Sequence, residues 1–381
     1  MRDVLEPLGS WWAEGKASAL ATVVATHRSA PRRPGASMLV GPGGEAVGSI
    51  SGGCVESAVY ELGGEVLAGA PPVLQRYGAS GDDDAFAVGL TCGGALEVFV
   101  ERIDSATFPQ LGEVAETVRG GRPVAVVTVV AGPPRSLGRR LIVWPDRASG
   151  GTGRDRLDGP LCEEARRLLA LGRSAVLRYD GDTPGQGAGP GENERLEVFV
   201  ETFAPPPRMI VFGAIDFAAA LARMGSFLGY RVTVCDARPV FATADRFPGA
   251  DEVVVEWPHR YLAAEAGAGR IDARTALCVL THDHKFDVPL LEVALRLPDV
   301  GYLGAMGSRR THQDRWERLR EAGLTEAELK RLSSPIGLDL DARTPEETAV
   351  AIVAEIIALK GAGSGLRLAD RSGPIHLGPG R

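Results

Sequence analysis

The chain has 381 residues, 44% of them hydrophobic and 24% charged, enough for two or three domains with full apolar cores. Its formal charge of −7 gives no general drive toward nucleic acid or an anionic membrane surface. Five cysteines, an odd and sparse count, argue against a disulfide framework and for a reducing compartment.

Residues 1–16 are mixed polar and include Trp11 and Trp12. They lack the basic start and apolar core of a signal peptide. No run is apolar for long enough to span a bilayer, so a cytoplasmic protein without stable membrane insertion is expected.

Two stretches then read as copies of one unit, at about 19–101 and 124–201. The segment Leu96-Glu97-Val98-Phe99-Val100-Glu101 returns as Leu196-Glu197-Val198-Phe199-Val200-Glu201. Ser37-Met38-Leu39-Val40 corresponds to Arg140-Leu141-Ile142-Val143, and Gln75-Arg76-Tyr77-Gly78 to Leu177-Arg178-Tyr179-Asp180. Such repetition marks an ancestral duplication. Each copy reads as short strands, one helix and more strands, and the two together form an α+β domain over residues 1–203.

The copies differ where chemistry would sit. Copy one carries Ser51-Gly52-Gly53-Cys54-Val55-Glu56 and, later, Thr91-Cys92-Gly93-Gly94. Both elements put a thiol beside two glycines, where little side-chain bulk stands in the way of a ligand. Val55, Ala58, Val59, Leu62 and Val66 recur at helical spacing, so Cys54 is expected to open a helix. The positive end of the helix and its free N–H groups would favour a thiolate there. The competing reading makes Cys54 a small buried apolar residue. Copy two has Asp158-Gly159-Pro160-Leu161-Cys162-Glu163-Glu164 in the corresponding region and no second Cys-Gly-Gly, so Cys162 reads as a core cysteine. Copy one also has a basic loop, Thr26-His27-Arg28-Ser29-Ala30-Pro31-Arg32-Arg33-Pro34-Gly35, whose arginines suit a phosphate if they lie near the cysteines.

A linker, Ala204-Pro205-Pro206-Pro207, precedes a second domain at 208–360. Strand candidates at 209–213, 231–236, 253–255, 276–280 and 300–304 alternate with helices such as 218–228. That alternation predicts a Rossmann-like, doubly wound parallel sheet. Thr344-Pro345-Glu346-Glu347 reads as a capping box opening a long apolar helix through Leu359. Residues 361–381 are expected to form a frayed tail.

Three elements fall at predicted strand ends, where such sheets bind ligands. Gly213-Ala214-Ile215-Asp216 stands where a dinucleotide motif would be, but Ile215 replaces the close-approach glycine and Asp216 adds negative charge. Asp236 has the place of a ribose-binding acid. A nucleotide site and an altered or vacant one both remain open. His282, Asp283 and His284 offer imidazoles and a carboxylate for metal binding or proton transfer, or else form a polar loop with a helix cap. Gly307, Ser308, Arg309 and Arg310 suit an anion, or else form a solvated basic face.

In this order the motifs resemble the XdhC/CoxI family of molybdoenzyme maturation factors. The resemblance rests on the Arg-Ser-Ala-Pro-Arg-Arg-Pro-Gly loop at 28–35, Ser51–Glu56, 89–94, 281–284, 307–311 and Pro335-Ile336-Gly337-Leu338-Asp339. It implies a chaperone that binds molybdenum cofactor (molybdopterin), supports its sulfuration by a cysteine desulfurase and delivers it to a client of the xanthine dehydrogenase or CO dehydrogenase type. A homodimer is expected. On that footing Cys54 and Cys92 serve as the molybdenum-facing or reactive thiols. Arg32, Arg33, Ser51, Gly52, Gly53, Glu56, Gly93 and Gly94 are expected to contact the cofactor. Relatives carry Gly-Ala-Gly-His where this chain has Gly213-Ala214-Ile215-Asp216, which weakens the expectation of a nucleotide. The competing functions are an NAD(P)-dependent oxidoreductase and a sulfur-transfer enzyme with a persulfide on Cys54.

Overall fold

The computed structural model describes residues 1–27, 32–78, 94–179, 195–281, 283–361 and 363–371. Two compact units divide them, Met1–Pro205 and Pro206–Arg371.

In the first unit, copy one runs α1 (Leu5–Ala13), β1 (Ser18–His27), β2 (Ser37–Val40), β3 (Ala46–Gly48), α2 (Glu56–Leu67), β4 (Val73–Gly78) and β5 (Ala95–Ile103). Copy two runs α3 (Leu111–Arg119), β6 (Val124–Ala131), β7 (Arg140–Val143), β8 (Ala148–Gly150), α4 (Asp155–Leu171), β9 (Ala175–Tyr179) and β10 (Leu196–Phe203). Their sheets share one order, β3-β2-β1-β5-β4 and β8-β7-β6-β10-β9, all antiparallel. Successive strand residues point to opposite faces, and both faces are covered. Ala21, Val23, Val98 and Val100 pack under α2. Leu20 and Ile103 point the other way and join Leu5, Leu8, Leu111, Val114, Val124 and Val126 in a core shared by the copies. Val24, Phe99, Val130 and Phe199 continue that shared layer. The structure adds a helix ahead of each copy, α1 and α3, which fill this shared core.

The second unit runs β11 (Arg208–Phe212), α5 (Asp216–Phe227), β12 (Arg231–Asp236), β13 (Glu252–Val255), α6 (Pro258–Gly267), β14 (Ala276–Val279), α7 (His284–Arg296), β15 (Tyr302–Ala305), α8 (Arg309–Glu321), α9 (Glu326–Leu329) and α10 (Pro345–Gly361). Its sheet is parallel with order β13-β12-β11-β14-β15. Met209 and Val211 face Ala218, Leu221, Ile352 and Ile356 of α5 and α10. Ile210 and Phe212 face Leu262, Leu290 and Leu319 of α6, α7 and α8. The unit is therefore doubly wound. Thr344 and Glu347 exchange the reciprocal bonds of a capping box at the start of α10, with Glu347 N donating to Thr344 Oγ1 at 3.2 Å and Thr344 N donating to Glu347 Oε2 at 3.1 Å. No helix among the described residues is long and apolar enough to cross a membrane.

Candidate functional site

The loop between β3 and α2 folds around its own carboxylate. Glu56 is the first residue of α2 and reaches back over the preceding segment. Backbone amides donate to it from Ser51 and Gly52, each at 2.9 Å, from Gly53 at 2.8 Å, Val55 at 3.2 Å and Ile50 at 3.3 Å. The Ser49 hydroxyl donates at 2.8 Å, and the Ser51 hydroxyl makes a short bond to the second oxygen. The Ser51 hydroxyl oxygen in turn accepts from Cys54 N at 3.0 Å and Val55 N at 3.1 Å. Partial burial pushes the Glu56 carboxyl up, but the hydroxyls and amides of the loop outweigh it and hold it well below the ordinary carboxylate range. Gly52 and Gly53 have φ of +79° and +118°, which only glycine adopts without strain, and a Cβ on either would meet no atom of the described residues within 4 Å.

One expectation needs correction here. Cys54 does not open the helix: α2 begins at Glu56 with Val55 as its N-cap, and Cys54 lies ahead of both. The oxygens of Glu56, a residue expected to contact the cofactor, take up the donors of the loop. The same network occupies the amides on either side of Cys54, Gly53 N and Val55 N, as well as Cys54 N itself. The Cys54 side chain is half-buried against the apolar cluster of Ala36, Ile50, Val55 and Val59 beneath α2.

Copy two keeps the frame of this loop without its chemistry. Gly48 and Gly150 each close the third strand at φ of +88° and +85°. A Cβ at either would lie 2.4 Å from the carbonyl oxygen of the first residue of the second strand, Ser37 or Arg140. The eighth residue after each glycine is an acid, Glu56 or Asp158. Asp158 accepts from Thr152 N at 3.0 Å and Thr152 Oγ1 at 2.6 Å. In this register the counterpart of Cys54 is Arg156. Cys162 instead matches Tyr60 and lies inside α4, half-buried against the copy-two core. Burial raises its thiol pKa. Cys162 and Cys54 are therefore six residues out of register, although both fall in the stretch that leads into or forms the helix after the third strand.

Arg32 and Arg33 border a pocket of about 410 Å³ that also involves copy two, lined by Arg2, Asp3, Gly35, Ser174, Glu201 and Thr202 among others. Arg32 pairs with Asp3 at 2.9 Å. Glu201 accepts from the Met1 ammonium at 2.6 Å. Arg2 donates to Ala204 O at 3.0 Å and lies over the Phe203 ring. Among the described residues Arg33 has no ion pair, so the pocket keeps the uncompensated charge of Arg2 and Arg33 and suits an anion. The part played by Arg2 and by the copy-two wall was missed from the sequence. A basic residue next to Met1 gives no signal until the fold returns it to the arginine loop. Cys92 and Gly93 lie outside the described residues, and with them the pairing of Cys54 with Cys92. Gly94 is buried, its carbonyl packed beside Gly78.

In the second unit the strand-end elements bond mainly to one another. Asp236 is buried, accepts from Ala214 N at 2.7 Å and pairs with Arg238. Burial pushes its carboxyl up, but Arg238 and the Ala214 amide bring it below its ordinary value. The acid read as a ribose ligand thus ties the Gly213 loop to Arg238. Gly213 itself is needed for space, since a Cβ would lie 3.0 Å from Thr281 N. Asp216 pairs with Arg246, which also donates to Ala214 O across the mouth of the loop. Asp283 caps α7, accepting from Lys285 N at 3.1 Å, so it takes the helix-cap role. His284 is exposed at the first position of α7, and His282 lies outside the described residues. Ser308 caps α8, accepting from Thr311 N, with Gly307 before it and Arg309 and Arg310 exposed after it. Beneath them Arg315 pairs with Asp287 at 2.9 Å, both side chains buried. Neither member of that pair had stood out in the sequence.

Comparison with known proteins places this architecture. A model described as the XdhC Rossmann domain matches residues 209–356. A model described as the XdhC and CoxI family matches residues 11–78 and 117–180, one stretch in each copy. The chain is 29% identical over 342 residues to a Bacillus subtilis protein named as a probable xanthine dehydrogenase subunit, covering 89% of this chain and 92% of the relative. It is 25% identical over 346 residues to the "Molybdenum cofactor insertion chaperone PaoD" of Escherichia coli, covering 91% and 84%. A crystal structure titled as a xanthine dehydrogenase from Bacillus halodurans shares the fold with a TM-score of 0.62 at 24% identity, over 96% of this chain and 97% of that one. With both its units matched by the family's two models, the chain belongs to the XdhC and CoxI family.

Proposed function

We propose that this protein is a maturation chaperone for a molybdoenzyme, which binds molybdenum cofactor and hands it to a client of the xanthine dehydrogenase type. The observation that carries the reading is kinship over most of both chains with a molybdenum cofactor insertion chaperone, in a chain whose copy-one loop sets a half-buried cysteine directly after two glycines of positive φ. Molybdenum favours sulfur ligands, and the cofactor carries a phosphate. Cys54 supplies the sulfur contact, with Cys92 as its expected partner. Arg33 and Arg2 supply charge for the phosphate, and Arg32 frames that pocket while held by Asp3. Sulfuration by a cysteine desulfurase, a homodimeric state and a cytoplasmic location belong to the same proposal. The NAD(P)-dependent alternative draws no support from a Gly213 loop closed by Asp236 and Arg246.

The test is reconstitution of the purified chain with molybdenum cofactor released from a donor molybdoenzyme, followed by molybdenum and pterin analysis. Wild type is expected to retain both, and Cys54→Ala/Cys92→Ala to lose most of the molybdenum. Absence of both from wild type, or full retention by the double variant, overturns the reading.

A further inference from the structure

We propose that Glu56 is a positioning residue, which sets the backbone of Cys54 for cofactor binding through the Ser51 hydroxyl and does not touch the cofactor itself. This deepens the reading of the protein as a cofactor chaperone and rests on it.

The bonds run in one direction. Glu56 accepts a hydrogen bond from the Ser51 hydroxyl, which leaves the Ser51 oxygen facing Cys54 N and Val55 N as an acceptor. The same carboxylate gathers the amides of Gly52 and Gly53, the two residues whose positive φ lifts the chain just before the cysteine. One ionised group therefore fixes the residues on the N-terminal side of Cys54 and, through Ser51, the Cys54 amide itself. An acceptor-only carboxylate suits this: every contact comes from a donor. An amide side chain in its place has a single acceptor oxygen and turns N–H donors toward Gly53 N and the Ser51 hydroxyl.

A local, purely structural role is the competing reading, and copy two supplies its model. Asp158 holds Thr152 in a segment that carries Arg156 where copy one has the cysteine. What copy one adds to that carboxylate is the serine pair and the glycine pair around Cys54, so the elaboration follows the thiol.

The test is a double-mutant cycle on the full chain, with Glu56→Gln, Cys54→Ala and the double variant, each titrated with molybdenum cofactor released from a donor molybdoenzyme. Thermal unfolding checks that each is folded. Glu56→Gln is expected to weaken binding roughly tenfold when Cys54 is present and by less than about twofold in the Cys54→Ala background. A structural role alone would weaken both backgrounds equally, through the rest of the unit, and that result overturns the proposal. So does wild-type affinity in Glu56→Gln while Cys54→Ala binds weakly, which leaves the chaperone reading standing. Wild-type affinity in Cys54→Ala removes the thiol contact on which both rest. If Glu56→Gln does not fold, Ser51→Ala replaces it, since it cuts the link to Cys54 N and leaves the amide contacts of Glu56. A loss of about threefold confined to the Cys54 background is then expected, and unchanged affinity overturns the proposal.

Discussion

After its third strand, copy one gathers five backbone amides and two hydroxyls onto Glu56, while copy two sets Asp158 on the amide and hydroxyl of Thr152. The strand order and the glycine that closes the third strand are otherwise alike. One duplicated frame thus holds a plain carboxylate cap in one half and a cysteine-bearing loop wrapped on its own carboxylate in the other. The copies also exchange charges across their junction. Glu101 of copy one is buried against Arg140 of copy two, while Glu201, at the repeat-equivalent position, takes the Met1 ammonium beside Gly35. The equivalent of Arg140 in copy one is Ser37, and that side of the junction holds the open arginine pocket.

Removal of Arg140 should break this asymmetry hardest. Its guanidinium contacts Glu101, donates to Thr107 O and Gly138 O and lies over the Phe108 ring. Arg140→Ala strands a buried acid and should cost about 3–5 kcal/mol in urea unfolding. Burial already pushes the Glu101 carboxyl up, against the pull of Arg140. With the folded value raised further, the penalty is absent below the ordinary carboxylate range and grows as pH rises from there through the raised folded value. Ser37→Ala, at the matching position, removes bonds to Thr22 and Gly35 and should cost about 1 kcal/mol. Equal costs would mean that the two sides of the junction are energetically alike.

Asp158→Asn comes next. It weakens a charged cap that holds the segment after β8, and should cost about 1–3 kcal/mol. Cofactor retention should not change, because copy two carries Arg156 where copy one has Cys54. A variant that unfolds normally but loses cofactor would give copy two a place in the site.

Acid gives a smaller and more local effect. The folded-state value of Glu56 is depressed, so its contribution is present above the ordinary carboxylate range and is lost as pH falls through that depressed value. Hydrogen exchange at Gly52 and Gly53, corrected for the intrinsic pH dependence of exchange, should report equal protection at about pH 7 and pH 4. Loss of protection near the usual glutamate value would show that the loop bonds hold the carboxylate less tightly than the geometry requires.

How far these differences could be read in advance depends on their range along the chain. Repeats, strand periodicity and the Thr344–Glu347 cap are local patterns, and they led to the doubly wound sheet and the duplicated α+β unit directly. The motif at Ser51–Glu56 was equally visible, but the role of Glu56 was not. Nothing in the order of residues says that a carboxylate will turn back on five amides instead of outward to a ligand. Partners distant in sequence were the least legible. Arg2 reaches the arginine loop, Arg246 reaches Ala214 and Asp216, and Arg315 reaches Asp287, only once the fold has closed.

The smallest effect concerns Cys162, and it tests the register of the comparison itself. If sequence proximity to an acidic pair made Cys162 the counterpart of Cys54, its loss would disturb whatever copy two contributes to binding. The third-strand glycines and the acids that follow them place it opposite Tyr60 instead, half-buried beside Leu161, Ala165 and Leu168, α4 residues that pack against the copy-two sheet. Cys162→Ala removes one half-buried sulfur from a position where alanine is the better helix former, so the two changes nearly offset. Stability should shift by no more than about 1 kcal/mol. Cofactor retention should match wild type, and iodoacetamide labelling of the native chain should still proceed at Cys54. The thiols of Cys235 and Cys278, deep in the second unit and raised by burial, should stay unlabelled until the chain unfolds. A Cys162→Ala variant that loses cofactor while remaining folded would show that the duplicated cysteine works with the first and that the register drawn from the backbone is the wrong guide to function.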